Sequence, residues 1–113
     1  MTPELKRLWV DALRSGKYLQ GFDMLRTPDN HYCCLGVLAD ISGVEWRQTT
    51  LYNGKVIWEA NMGPGGWEDR DLSAKFCDRV GLSLLSSYYL AGLNDSHNNF
   101  EKIAGEIETD PFI

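Results

Sequence analysis

The chain has 113 residues, of which 43% are hydrophobic and 24% are charged, and its formal net charge is −5. This length predicts one domain, residues 1–113, and the composition is typical of a globular protein with a buried core rather than of a disordered chain. The excess of acidic residues argues against a basic face for nucleic acid, so nucleic acid is not an expected partner.

The N-terminal segment predicts a helix. Thr2 is a typical N-cap, Pro3 suits the first turn, and Gly16 ends the helix. Apolar residues recur between them at helical spacing and predict one buried stripe: Leu5, Leu8, Trp9, Ala12 and Leu13. Charges run through this segment, and no stretch of the chain approaches the ~18 apolar residues that a membrane span requires. We therefore expect no signal peptide and no membrane partner, and a cytoplasmic location.

A turn and a buried element follow. Residues 17–26 predict short extended pieces, and Thr27-Pro28-Asp29-Asn30 predicts a turn. Residues 31–41 are almost wholly apolar, which predicts the central buried element of the fold. Their length favours a helix over about residues 33–42, with Gly43 after it, while a buried strand is the alternative because periodicity does not separate the two in so short a run.

The composition of this central element has two further consequences. Its small residues, Gly36 and Ala39, would let another element pack closely against it. Its adjacent cysteines, Cys33 and Cys34, make a poor disulfide framework with the lone Cys77, and the chain has no C-x-x-C motif and only two histidines. We therefore expect free, mostly buried thiols and neither a metal nor a cofactor.

The middle of the chain predicts a β-hairpin and a long loop. Asn53-Gly54 stands between β-forming residues 49–52 and 55–58, which is typical of a two-residue turn in which both central residues have positive φ. Residues 60–71 contain Gly63-Pro64-Gly65-Gly66 and predict a flexible loop, since the Lys of a phosphate-binding loop is missing. A loop of this length is longer than most connections, which is typical of functional loops.

The last third predicts helices. One begins at Asp71 or Ser73 and ends near Val80, and the next runs over 83–93 with Leu85, Tyr89 and Leu93 on one face. The final helix has an apolar stripe: Phe100, Ile103, Ala104 and Ile107. The predicted fold class is therefore α+β, a small single domain of about four helices around the central apolar helix, with one β-hairpin.

Two groups of residues are candidates for chemistry or binding. Cys33 at a helix N-terminus would be a nucleophile only with a base beside it, and core packing is the favoured interpretation; no catalytic residue is predicted. Four aromatic residues are concentrated around the hairpin: Trp46, Tyr52, Trp58 and Trp67. One hairpin face cannot bury all of them because strand neighbours alternate sides, so we expect some to form a binding surface.

Three motifs together resemble a family of small, uncharacterised proteins of tailed phages and prophages. They are Lys17-Tyr18-Leu19-Gln20-Gly21 with Leu25-Arg26; Tyr32-Cys33-Cys34-Leu35-Gly36-Val37-Leu38-Ala39-Asp40; and Leu93-Asn94-Asp95 followed by Phe100-Glu101-Lys102-Ile103-Ala104 and Ile107-Glu108. The resemblance implies a phage origin and action in the bacterial cytoplasm, and carries over no established activity. Tyr18, Gln20 and Arg26 are the polar positions of these motifs that packing explains least, so they are further candidates for binding.

We expect a non-enzymatic phage accessory protein that binds a host or anti-phage defence protein. The alternative is a protein that binds or sequesters a small nucleotide-like ligand, and a small cysteine-dependent enzyme comes third. A ligand-binding protein needs a pocket with Arg or Lys beside an aromatic ring, an enzyme needs a coupled pair such as Cys and His, and a protein-binding module needs an exposed apolar patch.

Overall fold

Five α-helices and a three-stranded antiparallel sheet make up the chain in the computed structural model, which describes residues 1–64 and 66–113 in full and Gly65 by its backbone. The helices are α1 (Pro3–Arg14), α2 (Cys34–Ile41), α3 (Ala74–Val80), α4 (Leu84–Asp95) and α5 (Phe100–Thr109). The strands are β1 (Trp46–Thr50), β2 (Val56–Asn61) and β3 (Trp67–Glu68), with a 3₁₀ turn at Gly63–Gly65. The α+β class is confirmed; the chain has five helices, and its sheet has a third strand beyond the predicted hairpin.

The central apolar segment is a helix, α2, and it lies at the middle of the core with α1 and α4 packed against it. The thiol of Cys33 caps its first turn by accepting a hydrogen bond from the amide of Gly36, and Gly43 follows its end with a φ of 81°. The indole of Trp9 on α1 donates to the carbonyl of Cys34 at 2.9 Å. These contacts confirm the helix and exclude the strand alternative.

Gly36 permits the close approach that its size predicts. A Cβ atom at this position would lie 1.8 Å from the carbonyl oxygen of Leu25, so the backbone of Leu25 occupies the space of a side chain. Leu25 is held there from both sides, because its amide donates to the carbonyl of Asp69 and its carbonyl accepts from the amide of Cys33. The segment before the turn at 27–30 therefore lies directly on α2.

The hairpin is present, but the predicted two-residue turn is wrong. The amide of Leu51 donates to the carbonyl of Lys55, and the amide of Gly54 donates to the carbonyl of Leu51, so the loop contains three residues, 52–54. Only Gly54 has positive φ, 83°, because a three-residue loop is a type I turn followed by one left-handed residue. Asn53 contributes its side chain instead, accepting a hydrogen bond from the amide of Lys55.

Most of the predicted flexible loop is regular structure. β2 continues to Asn61. The chain then reverses through two hydrogen bonds, from the amide of Met62 to the carbonyl of Gly66 and from the amide of Gly66 to the carbonyl of Gly63. Trp67 then pairs with Asn61, and Glu68 with Ala60, as the third strand. The prediction of a long loop at 60–71 is wrong because glycine and proline composition marks a turn without showing that strands flank it.

Two of the predicted helix stripes are also wrong in part. Leu8 on α1 is exposed, and Val10 is buried in its place beside Trp9 and Leu13. On α4 the predicted core residues Leu85 and Tyr89 are exposed, and the buried residues are Ser87, Leu90 and Asn94. Asn94 determines which face of α4 is buried. Its side-chain oxygen accepts a hydrogen bond from the amide of Cys34 at the start of α2, and its side-chain nitrogen donates to the carbonyl of Gly21 in residues 20–26, which we call the 20s segment. The stripe of α5 is confirmed, since all four predicted residues are buried.

Candidate functional site

Arg26 lies against three aromatic rings on one face of the sheet. Its guanidinium carbon is 3.6 Å from the ring centroid of Trp58, 5.4 Å from that of Trp46 and 5.3 Å from that of Tyr32. The guanidinium also donates two hydrogen bonds to the side-chain oxygen of Asn30. Cation–π contacts of Arg26 therefore attach the hairpin to the turn at residues 27–30. The guanidinium of Arg26 also covers one face of the Trp58 ring.

Asp40 joins two more of the predicted binding residues. Its carboxylate accepts hydrogen bonds from the hydroxyl of Tyr18 at 2.5 Å and from the indole of Trp46 at 2.9 Å. Burial and the hydrogen bond to this carboxylate raise the pKa of Tyr18 well above its ordinary value, so the hydroxyl stays protonated and remains a donor. Tyr18 and Trp46 are thus held by hydrogen bonds within the protein, and they lie on the same side of the domain as Arg26.

The other three predicted site residues lie elsewhere. Gln20 donates to the side-chain oxygen of Asn94 and to the carbonyl of Asn98, which ties the 20s segment to the end of α4. Trp67 lies on the opposite face of the sheet, where the guanidinium of Arg47 covers its ring at 4.0 Å. Tyr52 stands fully exposed at the hairpin tip. The structure brings Tyr18, Arg26, Trp46 and Trp58 together and separates them from the remaining candidates.

The three cysteines are free and buried. Burial raises the pKa of Cys33 from its ordinary value of 9.0 to about 12, and it raises the pKa of Cys34 and Cys77 as well. The thiolate is the nucleophilic form of cysteine, and these environments disfavour it at neutral pH. The environments of the three cysteines therefore do not support the hypothesis of a cysteine-dependent enzyme, since none of them activates a thiol.

We expect Cys33→Ala and Cys34→Ala each to lower the free energy of unfolding by about 1–3 kcal/mol, because each leaves a cavity in the core. The raised pKa of Cys33 in the folded state means that its neutral thiol stabilises the fold fully below pH 9, and that this stabilisation is lost as the pH rises towards about 12. The pKa of Cys34 is raised as well, so its contribution falls with rising pH in the same direction. Urea titrations across this range, beside the labelling rate of the native thiols with a maleimide, measure both effects. Rapid labelling of Cys33 or Cys34 in the folded protein would contradict this assignment.

An exposed apolar surface runs along α4. Its four members are Leu84, Leu85, Tyr88 and Tyr89, with Leu85 83% and Tyr89 54% exposed, and we call it the α4 face. The helix has no charged residue from Leu84 to Asn94. Sequence reasoning missed this surface by assigning Leu85 and Tyr89 to the core. The sequence did contain a signal of this surface. The apolar pairs at 84–85 and 88–89, together with Leu90 and Leu93, extend around more of the helix than a single core-facing stripe occupies.

A cleft lies between the hairpin and residues 22–28, with a volume of about 590 Å³. Its walls are mainly apolar: Phe22, Met24, Pro28, Leu51, Val56 and Ile57. A smaller cavity of about 200 Å³ adjoins it and shares Asp23, Met24 and Arg70. Asp71 and Asp95 line only this smaller cavity, which we call the acidic cavity, whereas Lys55 lines only the cleft.

The charges around this cleft favour neither a metal ion nor an anion. Among the residues that the structure describes in full, no three His, Cys, Asp or Glu side chains are grouped so as to hold a metal. Lys55 and Arg70 line the cleft together with Phe22, as a pocket for a nucleotide-like ligand would require, but Asp23 and Asp69 line the same cleft. Within residues 1–64 and 66–113, moreover, no helix is long and apolar enough to cross a membrane.

Comparison with known proteins identifies the family of this chain. A family model described as "Domain of unknown function (DUF8296)" matches residues 1–111, so the chain belongs to that family. No curated protein and no solved structure matches it. The α4 face and the cleft therefore have to be interpreted from their own geometry.

Proposed function

We propose that this member of the DUF8296 family is a non-enzymatic protein that binds another protein through the α4 face. The observation that carries the proposal is the row of four large apolar side chains exposed on a helix that has no charged residue from Leu84 to Asn94. Apolar area of this kind is favourable to bury, and contiguous exposed patches on soluble domains are typical of interaction sites. Tyrosine is enriched in such surfaces because it adds a polar tip to a large apolar ring.

The partner that fits this surface is a different protein with an uncharged apolar groove. A second copy of the chain would carry the same net charge of −5, and two like-charged molecules repel at long range. The resemblance of the 17–26, 32–40 and 93–108 motifs to phage and prophage proteins supports a host or anti-phage defence component as the partner, met in the bacterial cytoplasm.

The α4 face suits this role better than the hairpin aromatics do. Arg26 and Arg47 already cover the rings of Trp58 and Trp67, and Asp40 engages Trp46. Tyr52 is the aromatic of that group whose ring is fully exposed, and it stands alone at the hairpin tip. Four adjacent exposed side chains offer more apolar area to a partner than one isolated ring.

The double variant Leu85→Ser/Tyr89→Ser tests the proposal. We expect it to fold as the wild type does, because both side chains are exposed, and to weaken partner binding by about 2 kcal/mol or more. Affinity capture from bacterial lysate would identify proteins retained by the wild type, and titration with the purified partner would measure the loss. A photo-crosslinking amino acid at Tyr88 would show whether that partner contacts the α4 face.

Two matched controls make this test specific. Leu8→Ser removes an exposed leucine from α1, and Tyr52→Ser removes an exposed tyrosine from the hairpin tip. Both controls should bind as the wild type does. Loss of binding in Tyr52→Ser with full binding in the α4 variant would transfer the site to the hairpin, and a concentration-dependent dimer abolished only by the α4 variant would replace the foreign partner with a second copy.

A further inference from the structure

The cleft and the acidic cavity are neighbouring spaces whose linings differ in charge, and we call the two together the depression. Asp23, Met24 and Arg70 belong to both, so the two spaces meet at these residues. Lys55 lies at the hairpin end of the depression, and Asp71 and Asp95 lie at the end beside α4. An occupant that spans both spaces therefore contacts apolar side chains in the cleft and carboxylates in the acidic cavity.

The acidic end has an excess of negative charge that the protein itself leaves uncompensated. Asp23, Asp71 and Asp95 line the small cavity, and Arg70 is the cation among its lining residues. The guanidinium of Arg70 is 3.9 Å from the carboxylate of Asp69, which neutralises part of its charge. The complementary group for this cavity is therefore a cation, and a Lys or Arg side chain can supply it from a flexible apolar stem.

Hydrogen bonds within the protein fix one side of the acidic cavity. Asp23 has a φ of 66°, and its amide donates to the carboxylate of Asp95 at 3.0 Å. Asp95 also lies within 3.4 Å of the buried amide of Asn94. The carboxylate of Asp95 is thus held in place before any ligand arrives, which lowers the entropic cost of binding.

We propose that this depression binds a short basic segment of a partner protein, with an apolar side chain in the cleft and a Lys or Arg side chain in the acidic cavity. The proposal concerns residues separate from the α4 face and does not rest on that surface. A nucleotide-like anion is the competing occupant, and the carboxylates Asp23, Asp69, Asp71 and Asp95 oppose it.

Fluorescent synthetic peptides provide the probe. The set places Phe or Leu one, two or three residues before Lys or Arg, and a matched set replaces the basic residue with Glu. We expect the full chain to bind the basic peptides, to bind the acidic set at least about tenfold more weakly, and to lose affinity as salt concentration rises. Fluorescent ATP in place of the peptides tests the competing anion.

The double variant Asp23→Asn/Asp71→Asn removes two charges and keeps the side-chain shapes, and Asn tolerates the positive φ at position 23. Its matched control is Asp11→Asn/Asp78→Asn, which makes the same change of net charge at exposed positions outside the depression. We expect the first variant to weaken peptide binding about tenfold and the control to leave it unchanged.

Val56→Ser tests the apolar part in the same assay and should weaken binding without changing its salt dependence. Equal weakening by both charge variants would reduce the attraction to net charge alone and would overturn the proposal. Peptide binding that neither variant changes, or ATP binding that strengthens in Asp23→Asn/Asp71→Asn, would overturn it as well. None of these results bears on Leu85→Ser/Tyr89→Ser, so the two proposals fail independently.

Discussion

Gly36→Ala is expected to lower the free energy of unfolding by about 3 kcal/mol or more, or to prevent folding. The new methyl carbon would lie 1.8 Å from the carbonyl oxygen of Leu25 and 2.7 Å from its carbonyl carbon. Leu25 cannot withdraw without breaking its hydrogen bonds to Asp69 and Cys33. To relieve the clash, α2 has to move away from the 20s segment, and this movement disrupts the core packing around α2.

Gly105→Ala is the matched control, because Gly105 also lies inside a helix and nothing in the structure is within 4 Å of an added Cβ atom. Alanine should stabilise α5 by about 0.5–1 kcal/mol, since glycine is the poorer helix former. Urea denaturation followed by circular dichroism compares the two variants. A Gly36→Ala protein with the unfolding midpoint of the wild type would show that the Leu25 backbone does not lie against α2.

Asn94→Leu is the second change with a large expected effect, a loss of about 3 kcal/mol in the free energy of unfolding. The side-chain oxygen of Asn94 accepts hydrogen bonds from the amide of Cys34 at 3.1 Å and from Gln20 at 3.0 Å. Its nitrogen donates to the carbonyl of Gly21 at 2.9 Å. Leucine has a similar size and leaves the amide of Cys34 and the carbonyl of Gly21 without this partner at a fully buried position, where each orphaned group costs about 1–3 kcal/mol. Gln20 keeps its hydrogen bond to the carbonyl of Asn98.

Two further variants separate this network from helix capping. Gln20→Ala removes one partly buried member of the network and should cost about 1 kcal/mol, less than Asn94→Leu. Asn99→Ala removes the N-cap of α5, whose side chain accepts from the amide of Lys102, and should also cost about 1 kcal/mol. Thermal melts rank the three. If Asn94→Leu costs no more than Asn99→Ala, Asn94 does not join the 20s segment to α2.

The sequence by itself determined the features that depend on neighbours along the chain. Thr2, Ser73, Ser83 and Asn99 each cap the helix that follows them, because an N-cap bond closes within three residues. The central position of α2 was predictable because its run of apolar side chains has no polar face to present to water. The hairpin was predictable because its turn residues and the β-forming residues on either side are neighbours along the chain. Its loop contains three residues rather than the predicted two.

The tertiary structure alone decided which faces are buried and which side chains meet. α4 has apolar residues around much of its circumference, so the local pattern does not choose the face that packs on the core. That face is chosen by Asn94, which accepts a hydrogen bond from a residue 60 positions away and donates one to a residue 73 positions away. The same holds for Arg26, which reaches the rings of Trp46 and Trp58 only because the hairpin folds back onto the turn. The α4 face and the cleft exist because contacts between distant segments, whose partners no local spacing encodes, left these surfaces uncovered.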